Sequence, residues 1–317
     1  MLLLQVEVTI LPTGFVTVPM IKKTKKNYYK ILFTGFMAGV FVAIIVLFIS
    51  FKFFSPKETD LIAPYHEQKI FKPKSLQTPN KTSSIVVNKD YRIPIVTFHY
   101  VEYVKDPKDT IRKSLDIIPF VFDKELQAIN NGHYKTIFVK DIPKIISGEI
   151  PYSSKSAALT FDDGYEDFYT DVFPLLKKYN VKATIFIVYD FIGRKGFMSE
   201  KQIKEIINSQ LVELGAHTLD HLYLKLLPEN IVIKQMSESK KILEETFKVK
   251  IESFAYPYGA FSQDTINLVR SAGYTNAVSE IPGIIQSNDN LFYLSRIRAG
   301  SFSYENIIRF FENYQNK

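Results

Sequence analysis

Cysteine and tryptophan are absent from the 317 residues, and histidine occurs only five times. Without cysteine, disulfides and thiolate metal sites are excluded. A chain without disulfides can still work outside the cell, so the compartment stays open. A net basic excess is also missing from most of the chain. Residues 1–90 carry 12 lysines against five acidic residues, whereas residues 91–317 carry 28 basic and 28 acidic residues. The formal charge of +7 therefore belongs wholly to the N-terminal part. The basic pI is weak evidence for nucleic-acid binding, and nucleic acid is not expected as a partner. No internal repeat is visible. The length and a hydrophobic content of 46% suffice for one large domain, or one domain with accessory segments.

Residues 31–51, ILFTGFMAGVFVAIIVLFISF, contain no charge. A helix of that length, at about 1.5 Å per residue, spans roughly 30 Å, the thickness of a bilayer core. Lys22, Lys23, Lys25, Lys26 and Lys30 precede it. Positive charge stays inside, so residues 1–30 are expected to be cytoplasmic and the rest extracytoplasmic. A cleaved signal peptide needs a shorter apolar core and a small-residue site, and SFKFFSPKE offers none. The expectation is an uncleaved single-pass anchor over 31–54 and a cell-membrane location. A buried helix in a soluble protein is the alternative, and so long a run with basic flanks argues against it. Met20 followed by IKKTKK is a more natural start than Met1, which makes residues 1–19 an expected start-site artefact. Residues 55–90, rich in Lys, Pro, Ser, Thr and Asn, read as a stalk.

From Tyr91 the pattern changes. Short β-branched and apolar runs (IPIVTFHYV, AALTF, ATIFIV, VELGAHT, IESFAYPYG) alternate with helical segments, one of them with Ser199 as N-cap. Alternation of this kind predicts parallel β/α units, with function at the C-terminal ends of the strands.

Three motifs fall at such ends. LTFDDG sets Asp162 beside Asp163 and follows them with Gly164. By itself this is compatible with a turn, which Asp and Gly favour. GAHTLDHLYL places His217 and His221 four residues apart, which on a helical turn puts both imidazoles on one face, as a metal site needs. FAYPYGAF, residues 254–261, is an aromatic Pro-Gly turn that could offer a backbone N–H to an oxyanion, or be a plain loop. His66 reads as stalk and His133 as a loop residue.

In their order and distances, TFDDG, HTLDH and YPYG resemble the motifs of the polysaccharide deacetylase family (the NodB-homology domain, carbohydrate esterase family 4). The resemblance covers roughly residues 92–300. It implies a distorted (β/α) barrel over 91–317, a divalent metal, commonly Zn²⁺, and removal of acetyl groups from N-acetylated sugars in a polysaccharide. Carried over by motif, Asp162 is the general base, and Asp163, His217 and His221 are the metal ligands. Tyr258 supplies its backbone N–H to the oxyanion.

The chain departs from the family pattern in three places. Many members carry the general-acid histidine near the C-terminus, but no histidine follows His221 here. The candidate is His99 in VTFHYV, as in a circularly permuted subgroup that acts on poly-β-1,6-N-acetylglucosamine, and this chain resembles that subgroup. A structural core histidine is the other reading of His99. The usual third motif begins with an arginine that orients the base, which is missing here. Arg296 or Arg298, in YLSRIRAG, can take that role or be surface charge. The usual pocket tryptophan is also missing, and Phe or Tyr must replace it. Two further functions stay open on the same fold: an O-acetyl esterase, and a catalytically inactive glycan-binding protein. The intact Asp162, Asp163, His217, His221 set argues against the latter. Protein partners leave no mark in the sequence.

Overall fold

The structure is a computed structural model that describes residues 89–314. The expected cytoplasmic segment over 1–30, the expected anchor over 31–54 and all but the last two residues of the expected stalk over 55–90 lie outside the described residues. Among those described, no helix is long and apolar enough to cross a membrane.

Seven parallel strands close into a barrel: β2 (Ile95–Phe98), β4 (Ser156–Phe161), β5 (Ala183–Ile187), β6 (Val212–Ala216), β7 (Ser253–Ala255), β8 (Asn276–Pro282) and β10 (Leu294–Arg298). Closure comes from β2, which pairs with β10 on one side and with Ala158–Phe161 of β4 on the other. The first residues of β4, Ser156 and Ala157, pair instead with the two-residue strand β3 (Lys135–Thr136). A separate antiparallel pair joins β1 (Tyr91–Arg92) to β9 (Ile285–Gln286). Since the barrel strands are parallel, their C-terminal ends all open at one mouth.

Period-two alternation sorts the strand residues. Leu159, Phe161, Ile185, Leu214, Phe254 and Ala277 face outward and pack under helices such as Pro119–Asn131 and Glu229–Phe247. Ile95, Ala158, Phe186, Ala255, Val278 and Leu294 fill the lumen. Ile137, Val139, Ile142 and Ile145, from the segment after β3, join the lumen cluster. Glu213 is buried but satisfied there, accepting from Thr184, Ser253 and the Lys140 N–H. Burial of about 25 cal/mol per Å² of apolar surface on both faces of the strands is the main stabilising term.

Most expected elements form where the pattern placed them. Ser199 caps the helix Glu200–Asn208, with Gln202 completing a capping box. β10 was not expected as a strand. Its sequence, LSRIR, carries two arginines, and one of them points into the lumen.

Candidate metal centre and active site

The pair Asp162–Asp163 is explained by strand parity and one backbone inversion. Ala158 and Thr160 face the lumen, so Asp162 continues that face over the end of β4. Asp163 would face the helices, but its φ of 71° turns it back over the mouth. Gly164 follows at φ 83°, and a Cβ there would lie 2.6 Å from Ile187 Cδ1. Glycine is required by both conformation and space.

His217 ends β6 on the lumen side and is 2% exposed. Its Nδ1–H donates to the Ala255 carbonyl at 2.8 Å, which leaves Nε2 bare and fixes the ring. The segment from His217 to His221 is not the helical turn expected from the four-residue spacing. It is a loop with positive φ at Thr218 (70°) and His221 (63°), pinned by the bond from His221 N–H to Thr218 Oγ1 at 3.0 Å. The loop still brings the two imidazole centroids to 4.8 Å. Burial, and then the neighbouring His217, push the His221 pKa down to about 4, so its imidazole is neutral near pH 7.

Asp163 Oδ1 lies 3.5 Å from His217 Nε2 and 3.3 Å from His221 Nε2, and it is buried without a hydrogen-bond partner. One ligand atom from each residue falls within 4.8 Å of the other two. A buried acceptor with no donor is costly unless something else satisfies it. Two imidazoles and one carboxylate at these separations fit a small divalent cation with ligand bonds of about 2.0–2.1 Å and an open coordination position.

Asp162 is held differently. Arg296 Nη1 and Nη2 donate to its two oxygens at 2.9 and 2.8 Å, in a bidentate fork. Arg296 is 2% exposed and also donates to Ser279 O, Thr160 Oγ1 and Glu280. Burial raises the Asp162 pKa, but the charge and hydrogen bonds of Arg296 outweigh it and hold the carboxyl well below its usual range. Of the two arginines singled out in the sequence, Arg296 therefore meets Asp162. Arg298 donates to the Ser114 carbonyl at the rim. Glu280, the second acid on Arg296, had no motif to announce it. Its signal is positional, an acid on the lumen parity of β8, and it becomes meaningful only once β10 is known to be its neighbour.

Asp162, Asp163, His217, His221, Glu280 and Arg298 line one cavity of about 480 Å³, together with His99, Tyr100, Tyr165, Tyr256 and Tyr258. Four tyrosines thus stand where no tryptophan is available. Tyr100 and Tyr165 stack at 4.0 Å, and the Tyr258 ring lies 4.6 Å from His221. Tyr258 has φ 59° and a 66% exposed side chain. The bonds closing its turn run from Gly259 N–H to Tyr256 O and from Ala260 N–H to Pro257 O, and neither uses the Tyr258 amide. His133 is remote from this cavity, on the turn before β3.

Comparison with known proteins agrees with this geometry. Residues 149–277 match the family model described as polysaccharide deacetylase. The "Putative polysaccharide deacetylase YxkH" of Bacillus subtilis is 30% identical over 240 residues, covering 74% of this chain and 83% of its own. A poly-β-1,6-N-acetyl-D-glucosamine N-deacetylase of Staphylococcus aureus is 26% identical over 261 residues, covering 77% of this chain and 88% of its own. Among solved structures, the Streptococcus pyogenes deacetylase PplD in complex with acetate superposes with a TM-score of 0.65 at 29% identity, covering 70% of this chain and 98% of that one. The chain belongs to the polysaccharide deacetylase family, and its barrel is of the NodB type. It is a hydrolase of the polysaccharide N-deacetylase class.

Proposed function

We propose that this chain is a membrane-anchored, extracytoplasmic deacetylase that hydrolyses the N-acetyl groups of N-acetylglucosamine in a cell-surface polysaccharide, an exopolysaccharide or peptidoglycan. One observation carries the reading. Asp162, held by the bidentate Arg296 fork, lines the same cavity as the Asp163–His217–His221 cluster. The name of the Staphylococcus aureus relative favours a β-1,6-linked polymer. The charge-free run 31–51 with its lysine flank supports the anchor.

Asp163, His217 and His221 would hold the divalent cation, and Zn²⁺ suits their nitrogen and oxygen donors. Such a cation, when bound, supplies Lewis acidity and a water of lowered pKa. Asp162, ionised and unable to rotate in the Arg296 fork, accepts the proton of the attacking water. The Tyr258 N–H stabilises the oxyanion that develops on the former carbonyl. An amine leaves only when protonated, and His99 in the cavity wall supplies that proton. The tyrosine walls hold the sugar and keep water away from its acetamido group.

The test is acetate release by the purified full chain in detergent, metal-loaded, from β-1,6-linked and β-1,4-linked N-acetylglucosamine oligomers and from peptidoglycan fragments. Release that a chelator abolishes and zinc restores is expected. Release only from O-acetylated substrates would replace the reading with the esterase, and binding without any release would replace it with the glycan-binding protein.

A further inference from the structure

The catalytic cavity does not end at the barrel mouth. Glu280 and Arg298, which line it, also line a second cavity of about 780 Å³. Ile281, Pro282, Arg296, Phe310 and Tyr314 line it as well. Phe310 and Tyr314 in turn border a third depression of about 420 Å³, edged by Asn306, Arg309 and Asn313. The three share walls in sequence, from the metal cluster out to the helix Ile307–Asn313.

The aromatic part of this path is held in place. The Phe310 and Tyr314 rings sit 5.1 Å apart, and Phe302 supports Phe310 at 5.1 Å. Arg92, on β1, donates to the carbonyls of Phe311, Glu312 and Tyr314 at 3.2, 3.1 and 3.2 Å, which ties down the last turn. Half-buried aromatic faces beside amide and guanidinium groups suit sugar rings, whose apolar faces stack and whose hydroxyl and acetamido groups take hydrogen bonds.

We propose that the polysaccharide crosses Glu280 and Arg298 and lies along this helix, with Phe310 and Tyr314 as the platform for sugar residues flanking the one that is deacetylated. The assignment rests on the glycan deacetylase reading and extends it from one sugar to several. It makes the enzyme selective for polymer over short oligomers, through contacts remote from the reacting bond.

The test compares kcat/KM of the full, metal-loaded chain on an N-acetylglucosamine dimer and hexamer of the linkage it prefers. Calorimetric binding of the same oligomers is measured alongside. Two variants are used: Tyr314→Ala removes a stacking face, and Ser301→Trp places bulk in the second cavity from an exposed position without emptying the core. Wild type should favour the hexamer. Each variant should lower the hexamer-to-dimer ratio of kcat/KM by about tenfold, the factor one good aromatic contact confers. Hexamer affinity should fall by a similar factor. Equal ratios in wild type and both variants would overturn the path. So would losses that are the same on dimer and hexamer in both variants. Hexamer binding that Ser301→Trp weakens, without acetate release by any form, would keep the path and overturn the deacetylase reading instead.

Discussion

Arg296 grips Asp162 through two parallel hydrogen bonds of 2.9 and 2.8 Å at the barrel mouth, and the arginine is 2% exposed. The neighbouring carboxylate, Asp163, has an oxygen with no donor at all. Two adjacent acids are thus given opposite environments. One is neutralised and oriented by a fixed cation, and the other is left for a cation that binds.

The fork itself is testable. Lysine keeps the charge of Arg296 but cannot make two parallel bonds. Arg296→Lys should lower kcat by about 10–100-fold, with KM and bound metal little changed, because a base tilted by even a small angle loses its alignment. Steady-state kinetics with metal analysis checks this. An unchanged kcat would show that charge alone suffices.

Asp162→Asn and His217→Ala should part company. The first keeps the Asp163–His217–His221 cluster and should retain metal while losing activity. The second removes a ligand fixed by its bond to Ala255 O and should lose both. Metal content of the two purified variants decides the matter, and equal content in both would refute the ligand assignment.

Glu125 gives a pH signature of stability. It is 1% exposed, both of its oxygens lack partners, and burial pushes its pKa up to about 8. The unfolded chain ionises it near its ordinary value, so between about pH 4.5 and 8 the unfolded state releases a proton that the folded state retains. Stability should therefore be fully present below that window, fall as pH rises through it, and level off above. Glu125→Gln removes the effect. The gap between variant and wild type should change by about 3–5 kcal/mol in the variant's favour from pH 4 to pH 8. Denaturant unfolding at several pH values reads it, and parallel stability–pH profiles would count against it.

The sequence announces the parts of this site that are short and local. TFDDG, HTLDH and YPYG are each a short stretch at or just past a strand end, and parallel strands collect such ends at one mouth. The partner of Asp162 was harder to identify. Arg296 is 134 residues away, and the sequence leaves it one of two candidates, with surface charge as the other reading, until β10 is seen to close the barrel against β2. The mode of the histidine pairing was also hidden. Spacing alone favours a helical turn, whereas the chain uses left-handed backbone at Thr218 and His221. Glu125 is legible only in the fold, because nothing in LQA-type helical sequence shows which face a neighbouring sheet will cover.

His99 separates amide from ester chemistry. Its side chain shares the cavity with Asp162 and the Asp163–His217–His221 cluster, and among the described residues the only other histidines lining it are His217 and His221. Amide hydrolysis needs a proton on the leaving nitrogen, whereas an acetyl ester expels a far better leaving group. His99→Ala should therefore lower the rate on an N-acetyl substrate by about 10²–10⁴-fold, the usual worth of a positioned general acid. The rate on an activated acetyl ester should fall much less, and bound metal should stay the same. Parallel losses on both substrates would remove His99 from the acid's role and leave it a wall of the pocket. A small loss on both would point to proton delivery by solvent.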